Sequence, residues 1–138
     1  MGAVQQVRER GGETEKITVN LGYVDLGRVD LLVQEGFYSN RADFIRTAIR
    51  NQLGAHGDVV AGSIARQTLE LGLRDYDRAY LEAVRSAGET LHIKVVGLAR
   101  IASDVTPELA LATIGSITVL GALQASAEIK AALAGRIH

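Results

Sequence analysis

The sequence predicts an α+β protein made of two parts. The N-terminal part is a strand–helix–helix unit that dimerises through an intermolecular antiparallel β-ribbon, and the C-terminal part is a small α/β unit of strand–helix repeats with parallel strands. Three observations predict this class: strict apolar–polar alternation over residues 16–21, two amphipathic helical stretches directly after it, and an internal repeat of about 24 residues in the second half.

The composition is that of a folded protein. Hydrophobic residues make up 47% of the 138 residues and charged residues 22%, which is too apolar a balance for a disordered chain. The absence of cysteine excludes disulfides, thiolate metal sites and cysteine nucleophiles. The net charge of −1, with seven basic and seven acidic residues in positions 1–54, gives no general attraction to polyanions.

Changes in composition along the chain predict four segments. Residues 1–15 form a flexible arm, 16–53 the dimerisation unit, 54–66 a glycine-containing linker, and 67–138 a second domain. The N-terminus has no apolar stretch typical of a secretory signal, so we expect a cytoplasmic protein. The uncharged run 109–127 contains several Gly, Ser and Thr residues and alternates like a strand, so no membrane span is expected.

The segment Lys16–Leu21 is predicted to be one strand of a ribbon shared by two chains. Alternation places Ile17, Val19 and Leu21 on one face and the polar side chains on the other. A single six-residue strand is not stable alone, and no similar strand follows before residue 69. The same segment of a second chain is therefore the simplest pairing partner.

Two helices are predicted after this strand, over about residues 23–35 and from Ser39 onward. Gly36 suits the end of the first helix, and Ser39 suits the N-cap of the second. Strand and helices together span too few residues to build a core alone, so folding and dimerisation are expected to be one event. The predicted dimer core contains Ile17, Val19, Leu21, Phe44, Ile45 and Ile49.

These residues resemble the ribbon-helix-helix DNA-binding proteins of the Arc/MetJ/CopG class. The resemblance rests on Lys16-Ile-Thr-Val-Asn-Leu21 and on Gly36-Phe-Tyr-Ser-Asn-Arg-Ala-Asp-Phe-Ile-Arg-Thr-Ala-Ile-Arg50, and it covers residues 16–53 only. The sequence departs from the family at Gly22, where proline is frequent, and at Gly27 inside the first helix.

The resemblance implies a dimer that inserts its ribbon into the major groove of double-stranded DNA. The implied base contacts are Lys16, Thr18 and Asn20, whose side chains match guanine, the thymine methyl group and adenine, respectively. The implied phosphate contacts lie at the start of the second helix, and the basic residues of the arm are expected to add to them. These phosphate contacts are Ser39, Asn40, Arg41, Arg8 and Arg10.

The second half contains strand–helix units that repeat with an offset of 24 residues. Ile93-Lys-Val-Val-Gly97 matches Ile117-Thr-Val-Leu-Gly121, and a more degenerate copy starts at Leu69. Strands joined through helices pair in parallel, and so few units leave open sheet edges. We therefore expect an oligomerisation domain with contacts at Ile93, Val95, Ile117 and Val119; a self-contained cap without a partner is the alternative.

No catalytic or cofactor motif is visible, so we expect a non-enzymatic protein without cofactors or metal. His56, His92 and His138 invite comparison with nickel-responsive regulators of the same DNA-binding fold, but they lack ligand spacing and a cysteine.

The main functional hypothesis is a DNA-binding transcriptional repressor, dimeric and assembled cooperatively into higher homo-oligomers. The alternatives are a structural self-assembling protein with a ribbon-helix-helix anchor, and the antitoxin of a toxin–antitoxin pair. The apolar, patterned C-terminal part disfavours the antitoxin, because such proteins usually carry a disordered toxin-binding tail.

Overall fold

A computed structural model describes residues 13–138, and it divides them into two compact units. One unit is Thr14–Gly62, and the other includes Ser63–His138. The predicted flexible arm, 1–15, lies almost wholly outside the described residues.

The N-terminal unit contains two helices joined by a tight turn. Helix α1 spans Tyr23–Gln34 and helix α2 spans Arg41–Ala55. Gly36 has φ +90°, and the N–H groups of Gly36 and Phe37 donate to carbonyls of the last turn of α1, each at 3.0 Å. This Schellman arrangement explains why a glycine ends the helix, as the sequence predicts. After the turn, the Tyr38 ring meets the Phe44 ring edge-on at 5.0 Å between centroids.

The segment predicted to be a linker, 54–66, is helical. Helix α2 continues to Ala55, and helix α3 spans Gly57–Gln67 after a one-residue interruption at His56. The glycines of this segment do not prevent the helix, because each costs only about 1 kcal/mol relative to alanine. The expectation of an irregular connection is therefore corrected, whereas the functional boundaries of the two domains remain predictions.

The C-terminal unit is built on a three-stranded parallel sheet in the order β1-β2-β3. The strands are β1 (Glu70–Tyr76), β2 (Leu91–Ile101) and β3 (Ile114–Gln124). Mixed helices and parallel strands confirm the predicted α+β class. Ile93 is the register partner of Ile117, which corresponds to the 24-residue offset seen in the sequence.

Each strand is followed by a short helix. These helices are α4 (Arg78–Ser86), α5 (Pro107–Thr113) and α6 (Ala127–Ala132), and a 3₁₀ turn at Ala134–Arg136 follows α6. The N-caps are Asp77, Thr106 and Ser126, whose side-chain oxygens accept hydrogen bonds from backbone N–H groups three residues later. The predicted capping role of Thr106, with Pro107 in the first turn, is confirmed.

The core of this unit lies between the three helices and one face of the sheet. It is a single cluster with buried side chains from the strands and from every helix, among them Leu81 of α4, Leu109 of α5 and Ile129 of α6. The sequence run 109–127, which we predicted would not cross a membrane, is divided between α5, β3 and the start of α6. None of the helices in the described part of the chain has the length and apolar character that a membrane crossing requires.

Candidate nucleic-acid interface

The segment that the sequence predicts to form the ribbon has no secondary-structure partner among residues 13–138. Residues 14–22 belong to no helix or strand, and all of them are exposed. The apolar side chains of the predicted strand are exposed by 69% at Ile17, 69% at Val19 and 45% at Leu21. Burying a side chain of this size is worth about 1.5–3 kcal/mol, so three of them on one short segment indicate an interface not completed within the chain.

The polar residues of the segment are equally accessible. Lys16, Thr18 and Asn20 are exposed and make no hydrogen bond or ion pair within residues 13–138. Their side chains are therefore not used by the single chain for its own folding. This leaves them available for the base contacts that the sequence predicts.

The two helices after this segment also form only half of a core. Among residues 13–62, Val29 is the single buried hydrophobic side chain, while its α1 neighbours Leu26, Leu32 and Val33 are half-buried. On α2, Ile45 is 42% exposed, and the other predicted dimer-core residues are Phe44, which is half-buried, and Ile49, which is 47% exposed. Four helices from two chains would cover these side chains, whereas two helices leave them in water.

The first turn of α2 is closed by a reciprocal pair of hydrogen bonds. The Asn40 side chain accepts from the N–H of Asp43 at 2.8 Å, and the Asp43 carboxylate accepts from the N–H of Ser39 at 2.9 Å. The N-cap is therefore Asn40, and the prediction of Ser39 was wrong by one residue. The acid three residues after Asn40 is the signal in the sequence that identifies the correct cap.

This helix start still offers hydrogen-bond donors to an anion. Within the described residues the backbone N–H groups of Arg41 and Ala42 have no hydrogen-bond partner, and they lie at the positive end of the α2 dipole. Asp43 places a negative charge in the same turn, which opposes a phosphate. Whether the start of α2 attracts an anion therefore depends on whether the positive charge of Arg41 offsets the negative charge of Asp43.

Arg41 is engaged in an ion pair within the chain. Its Nε and Nη2 atoms each lie 2.8 Å from a carboxylate oxygen of Asp30 on α1, which is a bidentate geometry. These hydrogen bonds lower the pKa of Asp30 and raise the pKa of Arg41. Both side chains remain about half exposed, so the guanidinium is accessible from solvent although it is paired with Asp30.

The remaining predicted sites divide into two groups. Arg8 and Arg10, the predicted phosphate contacts of the arm, lie outside the described residues. Of the predicted oligomerisation residues, Ile93, Val95 and Ile117 are at most 1% exposed and Val119 packs against them, all in the core of the same chain. The side chains of Ile93, Val95 and Ile117 are therefore not available to another chain, which corrects that part of the prediction, whereas the contact at the half-buried Val119 stays a prediction.

No cluster of histidine and acidic side chains in the part of the chain that the structure describes is arranged to hold a metal ion. His92 instead lies 2.8 Å from the Ser116 hydroxyl, between neighbouring strands of the sheet, and His56 lies 3.3 Å from Gln52 on α2.

Comparison with known proteins adds one result to this geometry. The sequence model of the Ribbon-Helix-Helix transcriptional regulator family matches residues 12–130. The match therefore includes the predicted ribbon, helices α1 to α3 and nearly all of the sheet unit. Comparisons with curated proteins and with solved structures give no significant match.

Proposed function

The chain belongs to the Ribbon-Helix-Helix transcriptional regulator family, and from this premise we propose that it is a dimeric repressor that recognises a specific operator sequence. Two copies of the segment 16–21 pair as an antiparallel ribbon, and the ribbon enters the major groove of double-stranded DNA. Bound at a promoter, the protein blocks transcription by occupancy, without a catalytic step.

The observation that carries this proposal is the exposure of all six residues of the ribbon segment, in which apolar and polar side chains alternate. In a paired strand, Ile17, Val19 and Leu21 would lie on an apolar face that needs a second chain, and Lys16, Thr18 and Asn20, which have no partner within residues 13–138, would lie on the opposite face. A ribbon with this division buries its apolar face over the four helices of the dimer and presents its polar face outward. Six polar side chains, three from each chain, then make the base contacts.

The phosphate contacts come from the start of α2. The free N–H groups of Arg41 and Ala42 hold a phosphate oxygen, and the guanidinium of Arg41 contributes the positive charge that the turn otherwise lacks because of Asp43. Ser39 and Asn40 shape this turn through their hydrogen bonds. Such contacts position the protein on DNA, whereas the ribbon determines the sequence preference.

The decisive experiment compares the variants Asn20→Ala and Arg41→Ala on two duplexes. The first duplex is an operator obtained by selection from random DNA with the full-length protein, and the second is the same duplex scrambled. Asn20→Ala should weaken operator binding about 5- to 150-fold, the equivalent of a lost bidentate base contact of about 1–3 kcal/mol, with little change on scrambled DNA. Arg41→Ala should weaken both complexes by a similar factor and reduce their salt dependence.

Asp30→Asn is the matched control for Arg41, because it removes the ion pair but keeps the guanidinium. If Asp30→Asn weakens binding as much as Arg41→Ala does, the effect arises from the lost contact between α1 and α2 and not from a phosphate contact. The proposal is wrong if Asn20→Ala has the same effect on the operator and on the scrambled duplex.

We further propose that the strand–helix units of residues 67–138 form a repeat that couples neighbouring dimers. With seven basic and seven acidic residues in positions 1–54, one dimer gains little long-range attraction to DNA. Coupled dimers on adjacent operators would bind more tightly, because one bound dimer raises the effective concentration of the next.

A further inference from the structure

The sheet of the C-terminal unit has two open edges. β2 is the central strand, so β1 and β3 each have one side along which residues 13–138 place no further strand of the sheet. The N–H and C=O groups on such edges are templates for pairing with another chain. The two edges differ because other residues of the chain cover part of the β3 edge.

Residues 137 and 138 cover the first part of the β3 edge. Ile137 forms a parallel bridge with Ile117, and the N–H of His138 donates to the Ile117 carbonyl at 2.8 Å. Within the described residues no strand pairs with the outer side of 119–123. This open stretch of β3 includes Leu120 and Gly121, and the seven-residue β1 is long enough to pair with all of it.

A row of three glycines crosses the sheet and shows how the strands fit together. Gly72, Gly97 and Gly121 are register partners with φ values of +129°, +138° and +121°. A Cβ atom on Gly97 would overlap the carbonyl oxygen of Gly72, and a Cβ atom on Gly121 would overlap the carbonyl oxygen of Gly97. Each glycine of β2 and β3 thus admits the carbonyl group of the preceding strand.

Gly72 has a similar positive φ but lacks the same neighbour. A Cβ atom there would meet only the Arg74 side chain, at 3.7 Å. β1 therefore carries a glycine with room for a carbonyl group from a neighbouring strand, and residues 13–138 place no strand there. β3 carries the complementary feature, since no strand of the described residues follows it to receive the carbonyl group of Gly121.

We propose that the open edge of β3 pairs in parallel with β1 of a second copy of this chain, with Gly121 opposite Gly72 of that copy. In this contact the row of register-paired glycines formed by Gly72, Gly97 and Gly121 continues into the next copy. It also places Leu120, which is 56% exposed, beside Leu71 of the next copy, which is 64% exposed in the single chain. The apolar row formed by the register partners Leu71, Val96 and Leu120 then continues from one copy to the next.

The contact joins two different surfaces, so it propagates from copy to copy instead of closing on itself in a pair. An alternative contact between two β1 edges would be antiparallel and symmetric, and it would leave the Gly121 carbonyl without its glycine. The inference rests on the coupling of dimers proposed above and specifies the surfaces that produce it.

The test uses full-length protein and two edge variants. Leu71→Glu places a charge at the β1 edge, Leu120→Glu places a charge at the β3 edge, and Leu111→Glu on α5, where the leucine is 41% exposed, is the matched control. Sedimentation velocity over a range of concentrations should show growth beyond the dimer for the wild type and for Leu111→Glu. Each edge variant alone should stop at the dimer, because one half of every contact is blocked.

Mixing the two edge variants is the critical step. The Leu71→Glu chain keeps a native β3 edge and the Leu120→Glu chain keeps a native β1 edge, so the mixture should regain the larger species. A symmetric β1–β1 contact predicts instead that Leu120→Glu assembles normally on its own. The Leu71→Glu chain would then stay dimeric even in the mixture. A wild type that stays dimeric at all concentrations, or edge variants that assemble like the wild type, would equally overturn the proposal.

Binding to a duplex with one operator separates this inference from the proposed function. Both edge variants should bind a single site with wild-type affinity, and circular dichroism should show unchanged secondary structure. Normal single-site binding with no assembly by the wild type refutes the edge contact alone. If the wild type does not bind a duplex with one operator, the proposed DNA-binding function is wrong.

Discussion

The glycine row leads to a prediction in which steric overlap can be separated from backbone strain. Gly97→Ala and Gly72→Ala introduce the same methyl group at register-paired positions with φ values of +138° and +129°. Both variants are destabilised because alanine must adopt a positive φ, which costs about 1–2 kcal/mol for a residue with a Cβ atom. Only the Gly97 variant also meets a backbone atom of the neighbouring strand.

The additional cost at Gly97 follows from what the methyl group would displace. It would overlap the Gly72 carbonyl oxygen and lie 3.0 Å from the carbonyl carbon, and neither atom belongs to a flexible side chain. β1 and β2 must therefore separate locally, which weakens two or more ladder hydrogen bonds at about 1 kcal/mol each. We expect a total loss of about 3–5 kcal/mol for Gly97→Ala against about 1–2 kcal/mol for Gly72→Ala.

Hydrogen–deuterium exchange with mass spectrometry is the appropriate assay, because it reports the opening free energy of β2 and β3 separately from the other unit. The experiment is performed at low concentration, so that contacts between copies do not protect β1. A difference of about 2 kcal/mol corresponds to roughly 30-fold faster exchange of β2 amides in Gly97→Ala than in Gly72→Ala. Equal exchange in the two variants would refute the argument that the glycines admit a carbonyl group.

Three further predictions follow from single contacts. Val19→Asp should abolish dimerisation and DNA binding together in sedimentation and gel-shift measurements, because it places a charge on the apolar face of the ribbon. Thr106→Ala should destabilise the C-terminal unit by about 1 kcal/mol in urea unfolding, because the hydroxyl caps the N–H of Leu109 at 3.2 Å. The hydrogen bond from Arg41 lowers the pKa of Asp30, so their ion pair stabilises the fold above the ordinary carboxyl range and this contribution disappears as the pH falls through the lowered value. The stability difference between wild type and Asp30→Asn should accordingly be present at neutral pH and vanish in strong acid.

The helices of the N-terminal unit are predictable from the sequence because their signals are local, whereas the strand predicted at 16–21 is not formed in the single described chain and stays a prediction. Helical spacing and Gly36 determine α1 and its end, and both agree with the structure. The N-cap of α2 was misassigned because Ser39 and Asn40 are both good capping residues, and the hydrogen bond to Asp43 decides between them. The Asp30–Arg41 ion pair was missed since it joins residues on different helices, and periodicity does not reveal such pairs.

The C-terminal unit shows where pattern analysis loses information. Alternation correctly placed strands at Ile93 and Ile117, but it does not say which neighbour covers an apolar face. The α4 to α6 layer of the same chain covers these residues, so they are core residues and not contacts between chains. The positive φ values at Gly72, Gly97 and Gly121 depend on the approach of the neighbouring strand, which is a property of the sheet and not of any one segment.

Two kinds of contact in one chain determine how the protein would occupy DNA. The proposed ribbon contact is symmetric and closes a dimer, whereas the proposed sheet-edge contact is asymmetric and leaves a free β1 or β3 edge at each step. A dimer then carries two sheet units, so it can be joined to a neighbour on either side. Cooperativity should therefore appear on duplexes with tandem operators and not on a duplex with one operator. Leu71→Glu and Leu120→Glu should remove this cooperativity without changing the affinity for one site, a separation that a single contact surface serving both functions would not allow.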